Sequence, residues 1–97
     1  MSARTHHFAD LGEVRLHYVT EGEGPAVLLL HGWPETWFMW SDIMTGLAAA
    51  GYRAIAPDLR GIGDSSRPAG GYDKRTLAED CWRLMAETLG EERFFLV

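Results

Sequence analysis

The sequence lacks the features that mark several large classes of protein. It contains one cysteine, Cys81, in 97 residues, so it cannot form an intrachain disulfide and suits a reducing compartment. Its longest apolar run, AVLLL, is far shorter than the roughly 20 residues needed to cross a membrane. Its first residues have no apolar stretch of the kind that a secretory signal carries. We therefore expect a cytoplasmic protein with no membrane partner.

Positive charge is also scarce. Nine Lys and Arg residues stand against 14 Asp and Glu, which gives a net charge of −5 and an isoelectric point near 5.2. Without a basic cluster, a nucleic acid is not expected as a partner. Hydrophobic residues make up 46% of the chain and charged residues 24%, which is ordinary for a globular domain.

Several segments have the patterns of β-strands. Residues 14–19 (VRLHYV) alternate between apolar and polar, which is typical of a half-buried strand and predicts that His17 faces solvent. A weaker strand, residues 5–9, precedes it across a DLGE turn. Strands that are covered on both faces have continuous apolar runs. Three segments fit that description: 26–30, 52–59 and 93–97.

Two segments between these strands have the periodicity of helices. The first covers about residues 37–50 and ends at Gly51. The second begins at a capping box formed by Thr76 and Glu79, and Gly90 ends it. Each predicted helix has one core-facing stripe: Trp40, Ile43, Met44 and Leu47 on the first, and Leu77, Cys81, Leu84, Met85 and Thr88 on the second.

This order of elements predicts an α/β fold in one domain over residues 1–97. Helices that alternate with apolar strands indicate a mostly parallel sheet, here with an antiparallel hairpin at its N-terminal end. We expect the central strands in the order 53–57, 26–30, 93–97, with the two helices on opposite faces.

Two helices cannot cover both faces of such a sheet, and the last strand would present a bare apolar edge. We therefore expect an incomplete domain that needs the remainder of its fold. The alternative is a small complete domain that dimerises through this edge.

The most constrained stretch is the corner His31-Gly32-Trp33-Pro34, which follows the apolar run 26–30. Glycine allows a tight turn and close approach of the backbone to another molecule, and a peptide bond before proline can be cis. The backbone N–H of Trp33 can then stay free of the sheet and stabilise an oxyanion. The alternative is an ordinary strand-to-helix turn, in which His31 bonds only to local backbone.

Three segments together resemble the N-terminal portion of the α/β-hydrolase superfamily, and most of all the epoxide hydrolases and fluoroacetate-type dehalogenases. They are HGWPETWFMW, GYRAIAPDLRGIGDSSRP and GYDKRTLAEDCWRLMAETLGEERFFLV. The resemblance implies a hydrolase that needs no cofactor or metal and acts on a small molecule through an alkyl-enzyme ester. Tryptophan at 33, where haloalkane dehalogenases usually carry asparagine, counts against that branch.

The resemblance also assigns residues by position. It makes the Trp33 backbone N–H one half of the oxyanion hole, Trp33-Pro34 a cis bond, and His31 and Gly32 supporting residues of the HGxP motif. Trp37 and Trp40 are candidates for pocket lining. It puts the nucleophile, an aspartate in these relatives, outside this chain, together with the acid and the catalytic histidine. The 97-residue chain alone is expected to be inactive.

Other polar residues favour structural roles. The serine pair at 65–66 lacks the G-x-S-x-G pattern of a nucleophile. His6 and His7 are adjacent on a strand, so they point to opposite faces and cannot share a metal. By resemblance, Asp58 and Arg60 belong to a structural loop. GIGDSS lacks the third glycine of a dinucleotide-binding fingerprint.

Two functional hypotheses follow. The chain is the front part of a cofactor-free hydrolase, epoxide hydrolase-like in the first place, with a haloacid dehalogenase or an esterase of the same fold as alternatives. Otherwise it is a non-catalytic binding or dimerisation module derived from a hydrolase. A G-x-D-x-G sequence downstream of Val97 would favour the first.

Overall fold

The computed structural model describes residues 4–31 and 35–97, and its elements follow the predicted order. Five strands and two α-helices are present in this part of the chain. A 3₁₀ turn, Trp37–Trp40, leads into α1, and a π-helical turn, Leu84–Thr88, continues α2. The elements are β1 Arg4–Asp10, β2 Arg15–Glu21, β3 Ala26–Leu28, α1 Ser41–Ala49, β4 Arg53–Pro57, α2 Lys74–Arg83 and β5 Phe95–Leu96.

The strands form one mixed sheet in the order β1-β2-β4-β3-β5. β1, β2 and β4 are antiparallel neighbours, whereas β3 runs parallel to both β4 and β5. Leu28 of β3 lies beside Ile55 of β4 and Leu96 of β5. The predicted order of the three central strands, with the hairpin at one side, is confirmed.

The helices lie on opposite faces of the sheet, as predicted. Because side chains alternate along a strand, each central strand feeds two cores. One core packs against α1 through Met44, and the other packs against α2 through Cys81. The strand residues divide accordingly: Val19, Val27, Leu29, Ala54 and Ala56 on the α1 side, and Leu16, Tyr18, Leu28 and Ile55 on the α2 side.

Three sequence-based details are wrong. The N-cap of α2 is Asp73, whose carboxylate accepts the Thr76 N–H at 3.0 Å, so the helix begins before the predicted capping box. Thr88 is exposed, because the π-helical turn adds a residue to the helical period and brings Leu89 to the core instead. Ile43 is 48% exposed, although its spacing along the helix placed it in the predicted core-facing stripe with Met44.

None of the helices in the described part of the chain has both the length and the apolar content that crossing a membrane requires.

Candidate active site at the carboxyl ends of the parallel strands

The predicted oxyanion corner begins at His31, with two residues between it and Leu28, the last residue of the central strand β3. Gly32, Trp33 and Pro34 lie outside the described residues, so the cis peptide and the free Trp33 N–H stay predictions. His31, just before them, and Trp37, three residues after Pro34, are described, and both are held by hydrogen bonds.

His31 attaches the corner to the loop that follows β4. Its side chain is buried, and its Nε2 accepts a hydrogen bond from the backbone N–H of Leu59 at 3.0 Å. A neutral imidazole that accepts through Nε2 carries its proton on Nδ1. Leu59 follows β4, so this bond joins the loops that leave the carboxyl ends of β3 and β4. It reaches a residue distant in sequence, unlike the local bond of the alternative interpretation.

Asp58 holds the other side of the corner. Its Oδ1 accepts the backbone N–H of Trp37 at 2.8 Å, and its Oδ2 accepts the N–H of Asp64 at 3.1 Å. Oδ2 also lies 2.8 Å from Nδ1 of His17. Since the carboxylate is 1% exposed, these three contacts replace the water that an exposed carboxylate would bind. Asp58 therefore has a structural role, as the resemblance implied.

His17 is buried, with 2% exposure, and the prediction that it faces solvent is wrong. The alternating pattern of β2 indicated a polar face toward water. In the fold β2 lies between β1 and β4, and the His17 side of the sheet meets Asp58, so the polar residue is buried with a polar partner.

Ser65 completes the Asp58 cluster. Its hydroxyl donates to the Asp58 carbonyl at 2.6 Å and accepts the His17 backbone N–H at 2.9 Å. It is 2% exposed. Because its hydroxyl makes both bonds and is almost wholly buried, it is not placed as a nucleophile.

Gly63 explains the glycine in the GIGDSS segment. Its φ is +54°, and a Cβ at this position would overlap the Asp58 carboxylate. The loop can therefore wrap around Asp58 only with glycine there.

Arg60 fastens the same loop to α2. Its Nε and Nη2 donate to the two carboxylate oxygens of Asp80, each at 2.9 Å, and Nη1 donates to the Gly70 carbonyl at 2.9 Å. The hydrogen bond to Asp80 raises the pKa of Arg60 above its ordinary value. Asp80 was missed at the sequence level. The sequence did contain a signal for it, because Asp80 is a charged residue three positions after Leu77 and so falls within the apolar stripe of α2.

A cleft of about 570 Å³ opens beside His31, between the loop after β4 and the start of α2. Its walls are mainly apolar, with two arginines among them. They are formed by His31, Leu59, Arg60, Gly61, Ile62, Arg67, Tyr72 and Leu77.

Trp37 and Trp40 do not line this cleft. Both are half-buried and pack against the core on the α1 side, and Trp37 also meets the ring of His6 edge-on at 5.3 Å. The buried indole N–H of Trp40 has no acceptor among the described residues. Their role as pocket lining stays a prediction.

His17, Asp58 and Asp64 place three possible metal-ligand atoms within 4.8 Å of one another. The Nδ1 of His17 and both Asp58 oxygens are already hydrogen bonded within the fold. This cluster is therefore accounted for without a metal ion. His6 and His7 do point to opposite faces, since His6 meets His17 and His7 stacks on Tyr18.

The chain belongs to the α/β hydrolase fold family, whose model matches residues 25–97. Within that family, it is 49% identical over 82 residues to the soluble epoxide hydrolase of Corynebacterium sp. (strain C12). That match covers 84% of this chain and 28% of the relative. The fluoroacetate dehalogenase of a Burkholderia species is 45% identical over 93 residues, which cover 91% of this chain and 30% of that protein.

Solved structures agree with these relatives. The ligand-free epoxide hydrolase CorEH superimposes with a TM-score of 0.90 at 45% identity, covering 97% of this chain and 32% of that one. An epoxide hydrolase from Vigna radiata gives a TM-score of 0.90 at 39% identity, covering 96% and 30%. The chain thus spans about 30% of the length of these proteins. The resemblance and the fold class are confirmed.

Proposed function

We propose that this chain supplies the oxyanion-hole segment of a hydrolase that opens epoxides through an alkyl-enzyme ester. One observation carries the proposal: the corner is anchored on both sides, by His31 to Leu59 and by Asp58 to the Trp37 N–H. A hydrogen-bond donor stabilises a developing charge best when its position is fixed beforehand. The 49% identity to a soluble epoxide hydrolase supports the choice of reaction.

In the proposed reaction an aspartate carboxylate attacks an epoxide carbon. The carbon–oxygen bond breaks, and the oxygen takes up a proton and becomes a hydroxyl. Water that a histidine deprotonates then attacks the ester carbonyl, and the tetrahedral oxyanion accepts a hydrogen bond from the Trp33 N–H. Collapse of this intermediate breaks the ester carbon–oxygen bond, and the histidine gives its proton to the departing oxygen, which releases a diol. The proton left on the carboxyl group returns to the group that protonated the epoxide, which restores the carboxylate.

The other catalytic groups are proposed to lie in sequence that matches the remaining part of the relatives. These are the aspartate nucleophile, the acid, the histidine that activates water, and the groups that protonate the epoxide oxygen. We propose that the remainder of the domain also covers β5. The substrate is a small molecule. The single cysteine and the acidic charge support a cytoplasmic location without a nucleic-acid partner.

A dehalogenase is the second candidate. The Burkholderia fluoroacetate dehalogenase is 45% identical over most of this chain. The corner would serve that reaction equally, because displacement of a halide by an aspartate also forms an ester whose hydrolysis passes through an oxyanion.

The experiment that tests the proposal starts with the coding sequence beyond Val97. We expect a G-x-D-x-G motif, and we expect the whole reading frame, once expressed, to hydrolyse epoxides faster than fluoroacetate or simple esters. A stop codon after Val97, or a folded product without epoxide turnover, would overturn the proposal.

A variant in that product tests the role of the corner. Pro34→Ala should slow ester hydrolysis by roughly 100-fold, the usual effect of losing one oxyanion donor, so that mass spectrometry detects the accumulated alkyl-enzyme. Pro25→Ala, just before β3, is the matched control and should leave turnover unchanged. Equal rates for the two variants would contradict the assignment of Trp33.

A further inference from the structure

A chain of hydrogen bonds runs from an exposed residue of β1 to the segment after the corner. Nδ1 of His6 lies 2.9 Å from Nε2 of His17, whose Nδ1 lies 2.8 Å from Oδ2 of Asp58. Oδ1 of Asp58 accepts the Trp37 N–H. His17 and Asp58 are buried, whereas His6 is exposed. Solvent is therefore connected to the backbone just beyond Pro34.

The carboxylate fixes the direction of the donors along this chain. An ionised carboxylate can only accept, so Nδ1 of His17 carries a proton. Nε2 of a neutral His17 then has only a lone pair, and Nδ1 of His6 must donate to it. Both imidazoles are therefore Nδ1–H tautomers, and Nε2 of His6 is the one ring nitrogen outside the chain.

We propose that His6 and His17 form a hydrogen-bonded pair that positions the segment after the corner. The hydrogen bond between the two rings persists when the pair binds one proton and is lost when it binds two. With one added proton, a single N–H still lies between the rings, whichever imidazole holds the charge. A second proton puts N–H groups on both facing nitrogens, so their hydrogen bond is lost. The effect of this loss on ester hydrolysis rests on the proposed function.

Charged groups on the neighbouring elements face the pair or its bonded partners. The carboxylate of Asp58 offsets the charge of one proton. Two cations lie near the pair: Arg4 of β1, which meets the Trp37 ring at 5.5 Å and is paired with Glu21, and Arg15 of β2, which lies over the Phe8 ring. Asp64 is exposed and screened by water, and the groups that α1 turns toward Arg4 are neutral.

The test uses the full 97-residue chain labelled with ¹⁵N, in which imidazole nitrogen shifts give the tautomer of each histidine. At pH 8 we expect Nδ1–H tautomers for His6 and His17. On acidification the pair should take up one proton while the Trp37 amide stays protected from exchange. Binding of the second proton should raise Trp37 exchange at least tenfold, after correction for the intrinsic pH dependence.

Two variants make the test specific. His6→Asn keeps an N–H donor near the Nδ1 position but cannot be protonated, so the Trp37 amide should stay protected where the wild type loses protection. His7→Asn is the matched control, because His7 bonds to Thr5 and Thr20 on the opposite face. If the chain self-associates, the same exchange measurements can be made in the Leu96→Lys variant, because β5 and β1 lie at opposite edges of the sheet.

The outcomes separate this inference from the proposed function. Two results would overturn the proposal that His6 and His17 act as a pair: an Nε2–H tautomer at either imidazole, or Trp37 exchange that His6→Asn does not change. The expected tautomers in a protein without hydrolase activity would overturn only the proposed function. In the active whole protein, His6→Asn should allow ester hydrolysis to continue to lower pH than in the wild type. An unchanged pH profile would show that the histidine pair does not affect the corner.

Discussion

At the scale of single residues, Asp58 organises the candidate site. Its side chain and carbonyl receive bonds from the strand β2, from the loop after β4 and from the segment that follows the corner. No water is needed to satisfy it. Because the bonds from His17, Trp37 and Asp64 end on a charged and buried carboxylate, the cluster is sensitive to the loss of that charge.

Asp58→Asn should lower the free energy of unfolding by about 3 kcal/mol. The amide turns one acceptor into a donor that faces backbone N–H groups, and the remaining bonds lose their charge. Urea denaturation measures the change. Asp64→Asn alters an exposed side chain in the same loop and should change stability by less than about 0.5 kcal/mol. Equal losses in the two variants would contradict the role given to Asp58.

At the scale of elements, α2 carries a buried ion pair and a buried thiol next to each other. Asp80 pairs with Arg60, and Cys81 lies in the core on the α2 side of the sheet. Burial, with a smaller contribution from Asp80, raises the pKa of the Cys81 thiol from 9.0 to about 12. Burial also raises the pKa of Tyr18, which belongs to the same core.

The raised pKa of Cys81 predicts a loss of stability in alkali. Above about pH 9 the unfolded chain releases the thiol proton and the folded chain keeps it, so each further pH unit favours unfolding by about 1.4 kcal/mol until about pH 12. Urea titrations between pH 8 and 11 should show this slope, reduced in Cys81→Ala. A slope that the variant retains in full would assign the effect to Tyr18 and other groups.

At the scale of the whole molecule, β5 is the least protected element. Phe95, Leu96 and Val97 are each about 60% exposed, and among the described residues nothing pairs with the outer edge of this strand. Exposed apolar edges of this kind associate with other strands.

Leu96→Lys should reduce self-association of the 97-residue chain, because a charge on an edge strand opposes pairing with another copy. Sedimentation velocity over a concentration series measures the effect. Ile43→Lys, at an exposed apolar residue of α1 away from the edge, is the control and should leave association unchanged. Association that both variants reduce equally would point to general apolar exposure.

Residues 1–97 alone should show no hydrolysis of epoxides, fluoroacetate or simple esters above the uncatalysed rate. An oxyanion donor lowers a barrier only after a nucleophile attacks, and catalytic groups of this kind act as a unit. In the described part of the chain, Ser65 is committed to structural bonds. Saturable turnover by the purified monomer, measured by product formation, would show that the chemistry has been misplaced.

The sequence by itself determined the fold class, the order of the central strands and the faces on which the helices lie. Hydrophobic periodicity located the elements, and the right-handed crossovers between parallel strands gave their order and the helix faces, because both follow from local chain geometry. It also marked His31 to Pro34 as a constrained corner, since glycine and proline restrict the backbone locally.

Only the tertiary structure decided which polar residues are buried and what they bond. His17 was expected to face solvent and Asp80 was not singled out, yet each is buried against a partner far away in sequence, Asp58 and Arg60 respectively. The start of α2 is different, because it is set by a local bond: the Asp73 carboxylate accepts the N–H of Thr76, three residues along the chain. A polar residue is buried only where folding brings a matching donor or acceptor to it, and local periodicity contains no record of that partner.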